Sequence, residues 1–129
     1  MKPIFPVTIH SLNKKASTNL NAVFDTGSYY TIIRSNLLPP KTIVQPDPQT
    51  FKTANKKGGL KITGVTILIM QIGNKMIRDE VLVSDELGSD MLIGAKTMQS
   101  WDISIVNKNK QTIIVIKHDM RDPEINVVE

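Results

Sequence analysis

One short stretch of this chain carries the residue types of a reaction. Ala22-Val23-Phe24 runs into Asp25-Thr26-Gly27-Ser28, and the tetrapeptide occurs once. A carboxylate delivered by an apolar segment to the tip of a buried loop can serve as general acid or base. Gly27 lets a neighbouring backbone approach that carboxylate closely. Thr26 can lock the loop with a hydroxyl hydrogen bond, and Ser28 can hydrogen-bond the carboxylate itself. Asp-x-Gly alone is frequent in ordinary turns, so the tetrapeptide by itself is only suggestive. A second element strengthens the case. Met91-Leu92-Ile93-Gly94 is an apolar run closed by glycine, followed by a helical pattern from Ala95 to Trp101.

The two motifs, in this order and with a hairpin candidate between them, resemble the retropepsin-like (retroviral-type) aspartic proteases over residues 4 to 117. The resemblance implies an all-β fold, a single-lobe closed barrel with one short helix in the C-terminal half. It also implies an aspartic endopeptidase that hydrolyses extended peptide segments with a water activated by paired carboxylates. Asp25 is then catalytic, Thr26, Gly27 and Ser28 support its loop, and Leu92, Ile93 and Gly94 pack against that loop. The chain holds one Asp-Thr-Gly and no other aspartate in such a turn. The second carboxylate is therefore expected from a second copy, across a two-fold axis between the two Asp25 residues. The resemblance places a mobile flap at Ala54, Asn55, Lys56, Lys57, Gly58 and Gly59, with Gly58-Gly59 as its flexible tip. By turn statistics alone, the same stretch is a generic hairpin.

Viral relatives pair an acidic residue shortly after the Asp-Thr-Gly turn with an arginine after the second glycine. Here those neighbourhoods read Tyr29-Tyr30 and Ala95-Lys96, so that pair is not expected. Asp90 is read as structural, accepting backbone hydrogen bonds at the start of its strand. The strand pair after the helix departs from the smallest viral enzymes and looks more like cellular retropepsin-like domains or one pepsin lobe. The rival from another class is a non-catalytic module of the same fold, kept for dimerisation or peptide binding. An intact Asp-Thr-Gly-Ser argues against it, since a chain freed of catalysis has no need of a mutually repelling acid pair.

The elements that must position these residues read mostly as strands. Phe5 to His10 alternates, with Phe5, Val7 and Ile9 on one face. Asn13 to Asn19 turns the chain, Leu20 to Phe24 returns as the strand delivering Asp25, and Tyr29 to Ile33 continues extended. Ser35 to Leu38 is a short helical turn stopped by Pro39-Pro40. Residues 41 to 48 read as loop. Phe51 to Ala54 is a strand, Asn55 to Gly59 a tight connection and Leu60 to Ile72 a long return. Gly73-Asn74 is a hairpin signal before Lys75 to Val83. After the Ser84 to Ser89 loop comes the buried strand Asp90 to Ile93. Beyond the helix, Ile103 to Val106 and Thr112 to Ile116 flank the polar turn 107–110. The domain is expected over 1–119, with 120–129 a flexible tail.

Bulk properties narrow the alternatives. A chain of 129 residues with 40% hydrophobic and 22% charged residues is one ordinary domain with enough core to fold without staples. Only 5% of residues are aromatic, so the core is aliphatic. Without cysteine there is no disulfide or thiolate site, which fits a reducing compartment. Runs such as Ile67-Leu68-Ile69-Met70 fall far short of a membrane span, and residues 1–6 lack the apolar stretch of a leader. A cytoplasmic protein that contacts no membrane is the expectation. The net charge of +4 is mild, the lysines are scattered, and few aromatics are available to stack bases, so no nucleic-acid partner is expected. A small basic nucleic-acid-binding barrel would also leave both motifs unexplained. His10 and His118 are isolated, no cluster has metal-ligand spacing, and no cofactor motif is present. Met98 and Trp101 are read as core contacts.

Overall fold

The computed structural model describes residues 2–53 and 56–122. In chain order its strands are β1 (Ile4–His10), β2 (Ser17–Phe24) and β3 (Ile32–Arg34), then a 3₁₀ turn at Ser35–Leu37. These are followed by β4 (Gln45–Thr53), β5 (Lys56–Ile72), β6 (Lys75–Ser84), β7 (Met91–Ile93), helix α1 (Ala95–Ser100), β8 (Ile103–Lys108) and β9 (Gln111–Ile116). Hydrogen bonding runs β1-β2-β7-β3-β6-β5, and β5 then pairs with β1, closing a six-stranded barrel. β4 adds to the outside of the ring along β5, and β8 and β9 form a separate two-stranded sheet. The expected all-β closed barrel with one short helix is therefore found.

Closure rests on alternation. Val7 and Ile9 point inward from β1, and Leu20, Ala22 and Phe24 from β2. Phe5 is only partly buried but packs edge-on against Phe24, with ring centroids 5.9 Å apart. The rest of the core is mainly aliphatic, with Ile33, Leu68, Met70, Ile77, Val81, Met91 and Ile93 all buried. Met98 also joins it, and Trp101 packs against its edge, as the sequence suggests. A second, smaller cluster gathers Ile32, Leu60, Ile62, Leu82 and Leu87, from β3, β5, β6 and the loop after β6.

Turn chemistry sets the hairpins. Gly73, at φ +60, opens the two-residue turn between Ile72 and Lys75. Asn109 and Lys110, at φ +53 and +63, make the turn between Lys108 and Gln111. Left-handed backbone at both central positions is the type I′ solution that matches strand twist. The turn takes only those two residues, so β8 and β9 run further than the polar composition of 107–110 suggests.

Three local expectations are corrected. The chain does not run straight on from Tyr29; it bends at Tyr29-Tyr30, and β3 starts at Ile32. β4 begins at Gln45, inside the stretch expected as loop; as an edge strand it tolerates Pro46, beside a register shift between Pro46 and Gln49. The connection expected at Asn55 to Gly59 is shorter, because Thr53 already pairs with Lys56. Lys56, Lys57, Gly58 and Gly59 belong to β5, while Ala54 and Asn55 lie outside the described residues. Gly58-Gly59 falls within a register shift between the Phe51↔Leu60 and Thr53↔Lys56 pairs, with Gly59 at φ +80. Positive φ at glycine serves an irregularity within a strand as well as a hairpin tip, and Gly59 lies in such an irregularity.

Candidate active site

Asp25 follows directly from β2 and is held by the neighbouring strand. Phe24 pairs in parallel with Ile93 of β7, and the Asp25 N–H donates to Ile93 O at 3.0 Å. The Ser28 N–H returns to Asp25 O at 3.1 Å and closes the turn. The residue is only 9% exposed. Its Oδ1 accepts the Gly27 N–H at 2.9 Å, and its Oδ2 accepts Lys2 Nζ at 2.8 Å. A carboxylate aimed by a backbone amide and seated at the rim of an apolar barrel suits proton transfer to or from a bound water.

The second motif supports this loop directly. β7 lies between β2 and β3, with Met91 and Ile93 buried and Leu92 partly so. Gly94 follows, and a Cβ there would meet Tyr30 O at 2.3 Å and Tyr29 O at 2.7 Å. That absent side chain lets the start of α1 fasten the loop. The Ala95 N–H donates to Ser28 O at 2.6 Å, and the Lys96 N–H to Tyr29 O at 2.9 Å. Gly27 works differently from expectation. The nearest atom to a Cβ there is Asp25 Oδ1 at 3.1 Å, so the glycine makes room for the carboxylate rather than for another backbone.

One hydroxyl expectation is also revised. Ser28 Oγ donates to Tyr30 O at 3.1 Å rather than to the carboxylate, because the bend at Tyr29-Tyr30 turns that carbonyl back towards it. Thr26 is exposed and has no hydroxyl partner within the chain among the described residues. The lock is supplied one step further on, by residues that sequence reasoning missed. Thr31 Oγ1 accepts the Gly94 N–H at 3.1 Å and shares a hydrogen bond with Thr97 Oγ1 at 2.6 Å. Both threonines are nearly fully buried, at 3% and 1% exposure. A threonine directly after two tyrosines read as a strand residue; the only available signal was a second threonine inside a six-residue helix.

Asp90 is structural, as read from the sequence. Its Oδ2 accepts the Asn21 N–H at 3.1 Å, and its Oδ1 pairs with Arg34 Nη2 at 3.0 Å. Together these bonds tie β2 and β3 to the entry of β7. Among the described residues, no three His, Asp or Glu side chains gather as a metal site, and no helix is long and apolar enough to cross a membrane.

Beyond Ile116 the chain remains fastened. The Met120 N–H donates to Met76 O at 2.7 Å. Asp119 accepts the Met76 N–H at 3.1 Å and Arg121 Nε at 2.9 Å. The Met76 amide, and then the Arg121 side chain, hold the Asp119 carboxyl below its ordinary value of 3.8, against the opposing effect of burial. Residues 123–129 lie outside the described residues.

The chain is thus a closed single-lobe barrel whose one Asp-Thr-Gly turn is braced by an apolar strand and a glycine. The chain belongs to the retroviral aspartyl protease family, whose sequence model matches residues 2–106. Among solved structures it is similar to EIAV protease complexed with the inhibitor HBY-793. That match has 18% identity and a TM-score of 0.54, covering 82% of this chain and 93% of the other. At that identity the likeness speaks for the fold. No curated protein matches. Family and fold together support an aspartic protease.

Proposed function

We propose that the protein is an aspartic endopeptidase that works as a homodimer, with one Asp25 from each subunit forming the catalytic pair. The observation that carries this reading is the Asp25 turn itself. The carboxylate is aimed by Gly27 N–H and braced by Ile93 and Gly94, yet the sequence holds no second Asp-Thr-Gly turn to partner it. Hydrolysis needs two acids in complementary states. One takes a proton from a water, whose oxygen attacks the scissile carbonyl carbon, and the other gives its proton to the carbonyl oxygen. The tetrahedral species collapses as the amine nitrogen is protonated and leaves. Two carboxylates placed close together share one proton, which provides both states at once.

The surface around the site supports a second copy. Thr26, Gly27 and Tyr29 are exposed beside a nearly buried Asp25. The β8–β9 hairpin is apolar on both faces. Ile103, Ile105, Ile114 and Ile116 pack on the barrel core, while Val106, Ile113 and Val115 occupy the opposite face. An isolated two-stranded hairpin is marginal, and an outer apolar face with free edges favours cover by another chain. The β4–β5 segment, whose described residues include the flap candidates Lys56 to Gly59, is proposed to close over an extended peptide and hydrogen-bond its backbone.

Incubation with a diverse peptide pool at mildly acid pH, with and without a statine-type transition-state mimic, tests the reading. Cleavage that the mimic blocks and that Asp25→Asn lacks is the expected result. Cleavage at wild-type rate by Asp25→Asn would end it.

A further inference from the structure

The β1–β2 ladder does not stop where β1 begins. Ile4 pairs with Val23, and one step earlier the Phe24 N–H donates to Pro3 O at 2.9 Å. Continuing that antiparallel register sets Lys2 across from Asp25. The lysine reaches the carboxylate, with Nζ 2.8 Å from Oδ2. Among the described residues this is the only ion pair Asp25 makes, and no charged side chain of β2, β7 or α1 adds to it. With Gly27 N–H on Oδ1, both oxygens of the proposed catalytic group already have a partner inside the single chain.

We propose that residues 2–3 form an intramolecular latch. In the separated subunit, Lys2 occupies the Asp25 oxygen that a second carboxylate and the attacking water would use, and it must withdraw before the catalytic pair can form. The proposal rests on the dimeric protease reading above. Its chemistry is competition for one oxygen atom. The acid role needs a carboxyl proton, and an ammonium N–H cannot share the same lone pair with it. The geometry also makes the latch reversible. The Lys2 side chain is 57% exposed, whereas that of Asp25 is 11% exposed, so the lysine can swing into solvent without opening the core. Lysine suits this use, being a compact charge on a flexible stem rather than a rigid bidentate fork. With Lys2 largely in solvent the pair is weak, which makes the latch a brake rather than an off-switch. Its loss should release the site by about two- to fivefold.

The test compares wild type, Lys2→Met, which keeps the stem, and Lys2→Arg, which keeps the charge. Two readings are taken at low ionic strength: the dimer dissociation constant by sedimentation, and cleavage of a fluorogenic peptide at a concentration where monomers dominate. Because each dimer opens two latches, Lys2→Met is expected to dimerise about four- to twenty-five-fold more tightly and to cleave faster by a similar factor, with Lys2→Arg close to wild type. Added salt should bring wild type and Lys2→Met together as the ion pair is screened. Unchanged or weaker dimerisation of Lys2→Met would overturn the latch, and weaker dimerisation would make Lys2 a counter-ion of the assembled pair. If no variant cleaves peptide, the protease reading fails on its own, and sedimentation still decides the latch.

Discussion

Gly94→Ala is the smallest perturbation that strikes the support of the catalytic turn. Gly94 has φ −96 and ψ 177, an extended conformation open to alanine, so conformational freedom is not the reason for glycine. Space is the reason. The new methyl would sit 2.3 Å from Tyr30 O and 2.6 Å from Tyr30 C, where ordinary contact begins near 3.4 Å. The Tyr29-Tyr30 backbone must therefore retreat by about 1 Å. That movement strains two hydrogen bonds, from Ala95 N–H to Ser28 O and from Lys96 N–H to Tyr29 O. Overpacking costs about 1–3 kcal/mol, and each lost bond adds about 1 kcal/mol, giving about 3–5 kcal/mol in all. A domain of this kind holds only about 5–15 kcal/mol, so the loss is a large fraction. Urea denaturation at fixed protein concentration reads it, with Gly88→Ala as control, because a Cβ at Gly88 meets nothing within 4 Å. A Gly94→Ala midpoint equal to that of Gly88→Ala would refute the assignment of Gly94 as the element on which the loop rests.

Three further outcomes are expected. Thr31→Val keeps the shape but leaves the Gly94 N–H and the Thr97 hydroxyl unpaired in the core, costing about 1–3 kcal/mol in denaturant unfolding. Adding Thr97→Val should cost less than a second penalty of that size, since the orphaned hydroxyl is then removed, and simple additivity would count against the network. Asp119, with its carboxyl lowered by the Met76 amide and Arg121, contributes stability that is complete above its ordinary value of 3.8 and lost as pH falls through the lowered value. Thermal melts of wild type and Asp119→Asn should therefore differ at neutral pH and converge only in strong acid; a gap unchanged throughout the acid range would contradict this. Asp25→Asn should retain the barrel, with circular dichroism and melting close to wild type, while losing peptide cleavage.

Much of this arrangement was legible in the sequence because its signals are local. Phe5, Val7 and Ile9 alternate, and their alternation faces the core. Gly73 and the polar 107–110 segment announce turns, since left-handed backbone favours few residue types. Asp25-Thr26-Gly27-Ser28 and Leu92-Ile93-Gly94 were each found as short words in the expected order. What escaped depends on atoms distant in sequence. Thr31 and Thr97 meet only because β3 and α1 are brought together by β7, and neither neighbourhood looks polar or catalytic. Lys2 reaches Asp25 through strand register, which cannot be read before the β1–β2 pairing is known. Gly58-Gly59 reads as a hairpin tip, and the positive φ that suits a tip also suits the register irregularity of β5 where Gly59 lies. Pro46 likewise reads as loop, and only knowledge that β4 is an edge strand removes the objection.

The need for one Asp25 from each of two chains can be measured by mixing. Wild type is combined with increasing Asp25→Asn at constant total concentration, well above the dimer dissociation constant, and left to exchange subunits before peptide cleavage is recorded. If both carboxylates are required, only wild-type pairs work, so activity follows the square of the wild-type fraction and falls to about a quarter in an equal mixture. Activity that falls in simple proportion to the wild-type fraction would mean that a single Asp25 suffices, and the paired-carboxylate site would be wrong.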